Sequence, residues 1–279
     1  MGVPQPLIEC DSVSFRYIAT PVLEKITIRI HSGEFLGVVG RNGVGKSTLI
    51  RILTGTLTPY DGIVLLNGRP MGALSRRAVA RKLAVVSQTE PSDFGLTVWE
   101  EVMLGRSPHH GGIHYENSED RAIVEMALEK TQTSHLASRR LDMLSGGERQ
   151  RIRIARGIAQ QPEVIFLDEP TTHLDLFSQL KLMELLKDIN KQGIAVFLVS
   201  HDINFLAQCC QYVHLMHNGT IYVQGRPSDV ITADNVAACF GIEAEVTVDP
   251  VTSIPRINPL RISNRHNSAT LPHLQYVDG

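Results

Sequence analysis

The chain has 279 residues, 43% of them hydrophobic and 20% charged, with a formal net charge of -2. Such a length and composition suit a globular core able to bury a substantial interior, and the near-neutral balance carries no electrostatic footprint for a nucleic-acid partner. No apolar run approaches the roughly 20 residues that span a bilayer, and the opening Met-Gly-Val-Pro-Gln-Pro lacks the basic-then-apolar pattern of a secretion signal.

In chain order, Leu7 to Tyr17 and Ile26 to Ile30 alternate as strands do, with Ile26, Ile28 and Ile30 on one face, which predicts an antiparallel amino-terminal sheet. Phe35 to Val39 is a short apolar run ending at glycine. Lys46 to Leu53 then places Leu49, Ile50, Ile52 and Leu53 at helical spacing until Gly55, so this region reads as strand, glycine-rich loop, helix. Strands follow at Ile63 to Leu66, before the Asn67-Gly68 turn, and at Ala84 to Val86. Residues 97 to about 160 read as helix, opened by a capping box of Thr97 and Glu100 and punctuated by the Gly, His and Pro residues of 105–114. The α/β rhythm resumes with a strand at 164–167, a helix at about 176–191 and a strand at 195–199. Beyond Phe240 the prolines and scattered polar residues show no clear period, and 242–279 is expected to be a small appendage or a partly disordered tail.

Cys10, Cys209, Cys210 and Cys239 have no metal-ligand spacing, and the adjacent pair is a poor disulfide, so reduced, buried thiols of a cytosolic protein are expected. Arg149, Arg151, Arg153 and Arg156 share one predicted helix and read as a solvated or interface face. His109, His110 and His114 lie in a glycine-rich stretch without cysteine or paired carboxylates, which argues against a metal site.

The segment Gly40-Arg-Asn42-Gly43-Val-Gly45-Lys46-Ser47 matches the phosphate-loop pattern G-x-x-x-x-G-K-[ST], in the strand-to-helix setting its chemistry requires. Glycines let backbone N–H groups turn toward phosphate oxygens, and the following helix points its positive end at the same charge. Lys46 neutralises the outer phosphates, Ser47 offers Mg²⁺ a hard oxygen ligand, and Thr48 reaches toward the α-phosphate of ATP. The apolar run Val164 to Leu167 delivers Asp168 and Glu169 to a strand end, where Asp168 would hold Mg²⁺ through water and Glu169 would polarise the attacking water. Taken alone, such a pair is more often a helix cap or a solvated pair; its weight comes from the phosphate loop. Ser145-Gly146-Gly147-Glu148 opens an amphipathic helix with a capping box, and that helix start is also an anion site. The phosphate already held in the same chain makes a second chain's nucleotide its natural ligand.

Leu144 to Gln150, placed shortly before the Asp-Glu strand, resembles the signature sequence of ATP-binding cassette (ABC) proteins, and the likeness covers residues 5 to about 240. It implies an α/β fold: a P-loop NTPase core of RecA-like type, an antiparallel β subdomain, and a helical subdomain that carries the signature. The ATP-binding domain would span 1–241, with the helical part inserted at about 89–160, and 242–279 would be an extension. The resemblance implies a head-to-tail homodimer in which Ser145, Gly146 and Gly147 close over the partner's ATP. Glu169 would be the general base, with Lys46 and His201 also catalytic and His201 bonding the γ-phosphate. Gln88 would sense Mg²⁺ and the attacking water, joining Ser47 and Asp168 around the metal. Tyr17 resembles the aromatic residue that stacks on adenine, and equally reads as an ordinary strand aromatic.

His173, in Thr172-His-Leu-Asp175, departs from the alanine most cassettes carry. With Gly105-Arg-Ser-Pro-His109 it resembles the importers of iron chelates, haem and cobalamin, although 105–109 also reads simply as a loop. The implied protein is an ATPase at the cytoplasmic face of the cell membrane. It would drive separate permease subunits and act indirectly with an extracytoplasmic solute-binding protein. An ATPase for another solute, a separate-chain exporter subunit and a soluble non-transport cassette are the alternatives.

Overall fold

The computed structural model describes residues 5–87, 95–110 and 116–263. The chain opens with the antiparallel strands β1 (Ile8–Tyr17) and β2 (Thr20–Ile30), enters the buried strand β3 (Phe35–Val39), and turns through the glycine-rich loop into helix α1 (Lys46–Leu53). Strands β4 (Asp61–Leu66) and β5 (Arg69–Pro70) return to the first hairpin and complete a four-stranded sheet in the order β2-β1-β4-β5. Ile26, Ile28 and Ile30 are all buried while Thr27 and Arg29 between them are exposed, as the period-two pattern requires.

After α2 (Arg76–Ala80) and β6 (Leu83–Val86), the described chain from 98 to 159 is helical. It runs through α3 (Val98–Met103), a 3₁₀ run at Leu104–His109, α4 (Ser118–Lys130), two further 3₁₀ turns and α5 (Gly146–Ala159). Then come β7 (Val164–Asp168), α6 (Leu176–Lys191), β8 (Ala195–Ser200), α7 (Ile203–Cys209), β9 (Tyr212–His217) and β10 (Thr220–Gly225). The second sheet has six strands in the order β10-β9-β3-β8-β7-β6, parallel except for the β9–β10 hairpin.

Both faces of this sheet are covered, which is why β7 and β8 read as unbroken apolar runs. Phe166 and Phe197 face the antiparallel sheet and α1, in one cluster with Ile26, Ile28, Leu49 and Ile52. Ile165, Leu167, Val196 and Leu198 face the opposite way, packing with Ile152 and Ala155 of α5 and Leu182 and Leu186 of α6. Each of the larger side chains among these contributes about 1.5–3 kcal/mol by leaving water.

Where the sequence offers only prolines and polar residues, the chain continues through α8 (Pro227–Val230) and α9 (Ala233–Phe240) into a hairpin of β11 (Ile242–Val248) and β12 (Pro255–Ile262). Ala244 and Ile257 anchor it in the main core, and the Asn204 side chain bonds both the N–H and the C=O of Ile257, at 2.8 and 3.1 Å. Its periodicity is obscured because a bulge interrupts the register between Glu243 and Ala244.

All four cysteines are free and buried, and burial pushes the Cys10 and Cys209 thiols up to about 12, far from the thiolate form. The arginine run of α5 is not simply a solvated face. Arg149 donates to the Leu144 and Asp142 carbonyls at 3.1 and 3.0 Å, and Arg156 pairs with buried Glu101 at 2.8 Å. Arg156 reaches its partner because α5 packs on α3, whereas Arg149 closes back on the turn before its own helix.

Gly37 in β3 sits under α7, where an added Cβ would lie 1.9 Å from Leu206 Cδ2 and 2.7 Å from Cys210 Sγ. Gly37→Ala is expected to destabilise the chain by about 1–3 kcal/mol through overpacking, read as a lowered urea midpoint with an unchanged m-value.

Candidate active site

The parallel sheet brings the ends of β3, β8 and β7 side by side, and each delivers part of the site. At the end of β3, Gly43 and Gly45 take left-handed backbone angles (φ 81° and 107°) that turn the loop back on itself. α1 begins at Gly45 without a side-chain cap, so its first N–H groups remain for an anion. Lys46 is 6% exposed, and its ammonium donates to the Gly40 carbonyl at 2.8 Å and the Arg41 carbonyl at 3.2 Å. Thr48 is buried, whereas Asn42, Gly43 and Ser47 are exposed.

At the end of β7, burial raises the Asp168 carboxyl above its usual range; a hydrogen bond from Ser47 opposes this, and the neighbouring Glu169 charge reinforces it. Asp168 Oδ1 is sealed from solvent and lacks a hydrogen-bond partner. An orphaned carboxylate oxygen beside a serine hydroxyl fits a small hard cation, which prefers oxygen ligands.

Glu169, 9% exposed and itself at a left-handed φ of 50°, links the other two strand ends. Its Oε1 lies 3.4 Å from Lys46 Nζ, and its Oε2 accepts the His201 backbone N–H at 3.2 Å and meets His201 Nδ1 at 2.7 Å. His201 lies just past the end of β8 with its side chain 54% exposed. One carboxylate therefore bridges a buried cation and an exposed imidazole.

Ser145, Gly146 and Gly147 open a different helix and make their bonds outside this centre. The capping box is formed: Ser145 N–H and Oγ donate to Glu148 Oε2 at 2.9 and 2.7 Å, and the Glu148 N–H donates to Ser145 Oγ at 3.3 Å. Gly147 packs against the start of α6, where a Cβ would lie 2.8 Å from Ser178 Oγ. A cleft of about 210 Å³ between these helix starts is lined by Ser145, Gly147, Glu148, Arg151 and Ser178, and by no residue of the phosphate loop. Among the described residues, no hydrogen bond or ion pair joins 145–147 to 40–48.

Tyr17 is 42% exposed and makes an edge contact with Phe15 at 4.9 Å. It does not line the cleft of about 500 Å³ beside the phosphate loop, whose walls include Thr20, Val22, Asn42, Val44 and His217. Val22 and His217 carry no sequence signal for this place, because sheet order alone brings β2 and the β9–β10 turn to the loop. Gln88 and His114 lie outside the described residues.

The 105–109 stretch is a built strut rather than an open loop. Buried Arg106 pairs with Asp120 at 2.9 Å and donates to the Ala159 carbonyl at 2.8 Å and to Gln161 at 2.9 Å. Arg77 and Arg81 both donate to the Pro108 carbonyl, and His110 reaches Asp120 at 2.9 Å. Burial would raise the Asp120 carboxyl, but hydrogen bonds from Arg106 and His110 hold it below its usual range. These residues floor a groove of about 410 Å³ flanked by Trp99, Met103 and the exposed Leu104. No cluster of three or more metal-ligating side chains occurs among the described residues.

A glycine-rich loop after a parallel strand, an Asp-Glu pair on one neighbouring strand and a histidine on the other, with a helical insert between, define a P-loop nucleotide-binding ATPase. Residues 23–172 match the ABC transporter family model, and the chain belongs to that family. It is 39% identical over 249 residues to the iron(3+)-hydroxamate import ATP-binding protein FhuC of Bacillus subtilis (strain 168), covering 89% of this chain and 93% of that protein. The ferric enterobactin transport ATP-binding protein FepC of Escherichia coli (strain K12) is 37% identical, with 90% and 93% covered, and the hemin import ATP-binding protein HmuV of Pseudomonas aeruginosa is 37% identical, with 90% and 99% covered. Among solved structures, an inward-facing metal-chelate type ABC transporter superposes with a TM-score of 0.82 at 28% identity, covering 92% of this chain and 98% of that one. No helix among the described residues is long and apolar enough to cross a membrane.

Replacing Arg106 by Leu leaves Asp120 charged and buried without its main partner. Arg106→Leu is expected to cost about 3–5 kcal/mol, measured by denaturant unfolding, while the paired replacement Arg106→Leu with Asp120→Leu recovers much of the loss.

Proposed function

We infer that this chain is the ATP-hydrolysing subunit of an importer for an iron-siderophore, haem or cobalamin type of cargo, working as a homodimer against separate permease subunits at the cytoplasmic face of the membrane. The observation that carries the dimer is that the capped Ser145 helix start shares no hydrogen bond, ion pair or cleft wall with the Lys46–Glu169–His201 centre of its own chain among the described residues. An anion site so placed suits a phosphate held by a second copy, met by Ser145, Gly146 and Gly147. The cargo class rests on the printed functions of the relatives and on His173 and the Gly105–His109 strut. An extracytoplasmic solute-binding protein would act indirectly, through the permease, whose cytoplasmic segment would seat in the groove floored by Arg106. The ATP-binding unit is taken as 1–241, with its helical insert at about 89–160 and 242–279 as an added segment.

Ser47 and Asp168 would hold Mg²⁺ and Gln88 would complete its surroundings; the ion supplies charge neutralisation at the outer phosphates. Lys46 binds the β- and γ-phosphates, with Gly40, Asn42, Gly43, Gly45 and Thr48 supplying the cradle and Tyr17 a stacking surface for adenine. A bound γ-phosphate competes with Glu169 for the Lys46 ammonium, which releases a carboxylate oxygen to take the proton of the attacking water. His201, steadied by Glu169, donates to the γ-phosphate.

Glu169→Gln is expected to keep ATP affinity and lower turnover by roughly 10²–10⁴-fold, with accumulation of the closed dimer in size-exclusion chromatography; near-normal turnover would remove the general base. Ser145→Arg is expected to abolish hydrolysis while the isolated chain still binds nucleotide, and loss of that binding would place Ser145 in its own chain's site. Purifying the native complex and identifying its membrane subunit and solute tests the importer; an exporter subunit would overturn it.

A further inference from the structure

A separate cleft of about 340 Å³ opens between the two sheets at the amino-terminal end of β3, the end opposite the phosphate loop. Its walls come from β2, β9, β10 and the entry to β3, and its polar groups are Thr27, Arg29, Glu34, Tyr212, His214 and Gln224. The charges do not balance locally. Arg29, its side chain 57% exposed, is paired outside the cleft lining with Glu9, whose carboxylate lies 2.8 Å away. Glu34 has no side-chain cation within ion-pair distance among the described residues: one oxygen accepts the His31 N–H at 2.8 Å, and burial lifts its carboxyl above the usual range, against only that bond and the His31 imidazole.

His214 contributes no compensating charge. It is 7% exposed, and burial pulls its imidazole down to about 4, so the ring stays neutral at physiological pH. Its Nδ1 is sealed away without a hydrogen-bond partner, so this wall is not a fully satisfied core. Half-exposed Tyr212 presents a ring and a hydroxyl, Gln224 an amide, and Ile28 and Leu36 an apolar floor.

We propose that this cleft is a binding site for a small aliphatic amine. The cavity falls in the size range of small-molecule sites. The half-buried Glu34 carboxylate repels anions and gains from an ammonium close by, the Tyr212 ring favours a cation at its face, and the apolar floor suits a methylene chain. No third ligand joins Glu34 and His214 to make a metal site among the described residues. The site does not depend on the transport reading, because it uses none of the residues of the ATP centre.

The test is calorimetric titration of the full chain, without nucleotide, with spermidine and with agmatine, and with acetate as a control. Saturable one-to-one binding of at least one amine is expected, with none for acetate. Glu34→Gln should weaken amine binding at least about tenfold, and the half-exposed Tyr212→Ala should weaken it too, while ATP binding by both variants stays at the wild-type level. Absence of saturable binding by either amine would overturn the proposal. So would equal affinity in wild type and Glu34→Gln, which would place the amine elsewhere on the surface. Should Glu34→Gln fail to fold, Tyr212→Ala makes the same comparison, and an unchanged affinity in it overturns the site.

Discussion

The centre of this protein depends on one carboxylate shared between two partners. Glu169 touches Lys46 through one oxygen and His201 through the other, so the phosphate loop, the end of β7 and the end of β8 are tied at a single nearly buried group. A buried charge is tolerated only when it is paired and hydrogen-bonded. The parallel order β3-β8-β7 supplies those partners, because each strand ends at the same edge of the sheet. The apolar interiors of β7 and β8, with one face against the antiparallel sheet and the other against α5 and α6, hold that edge in register.

The helical insert works under a different constraint. α5 has a job at each end: Ser145 and Glu148 close its amino terminus, and the carbonyl of Ala159 near its carboxyl terminus receives Arg106. The same arginine reaches Asp120 at the start of α4, while Arg77 and Arg81 of the α/β core grip the Pro108 carbonyl. The 104–109 segment thus joins core and insert through hydrogen bonds as well as through the chain. A groove floored by Arg106 and Asp120 and the capped helix start at Ser145 lie at the two ends of one braced helix.

Much of this was legible beforehand because the signals are local. A glycine loop between a strand and a helix, a capping box at Thr97 or Ser145, and unbroken apolar runs before Asp168 and Ser200 each follow from backbone geometry or burial over a few residues. Where reading by period was weakest, the contacts are long-range. The 105–109 stretch carries glycine and proline, yet Arg106 fixes it through partners 14, 53 and 55 residues away. The β11–β12 hairpin is proline-rich and half-exposed, and it is anchored through Asn204 on a distant helix. The arginines of α5 read as a polar face because their acceptors on α3 and in the preceding turn are invisible to periodicity.

By itself the sequence determined the family and the local motifs, since residue types at fixed spacing dictate backbone geometry: the glycine loop Gly40 to Thr48 between strand and helix, Asp168 and Glu169 at a strand end, and the capping box of Ser145 and Glu148. Only the tertiary structure decided that Glu169 lies between Lys46 and His201, that Ser145 bonds to neither, and that Arg106 is a buried hub. The reason is that spacing along a chain fixes local geometry, whereas the order of strands in a sheet and the packing of helices on it fix which distant groups meet.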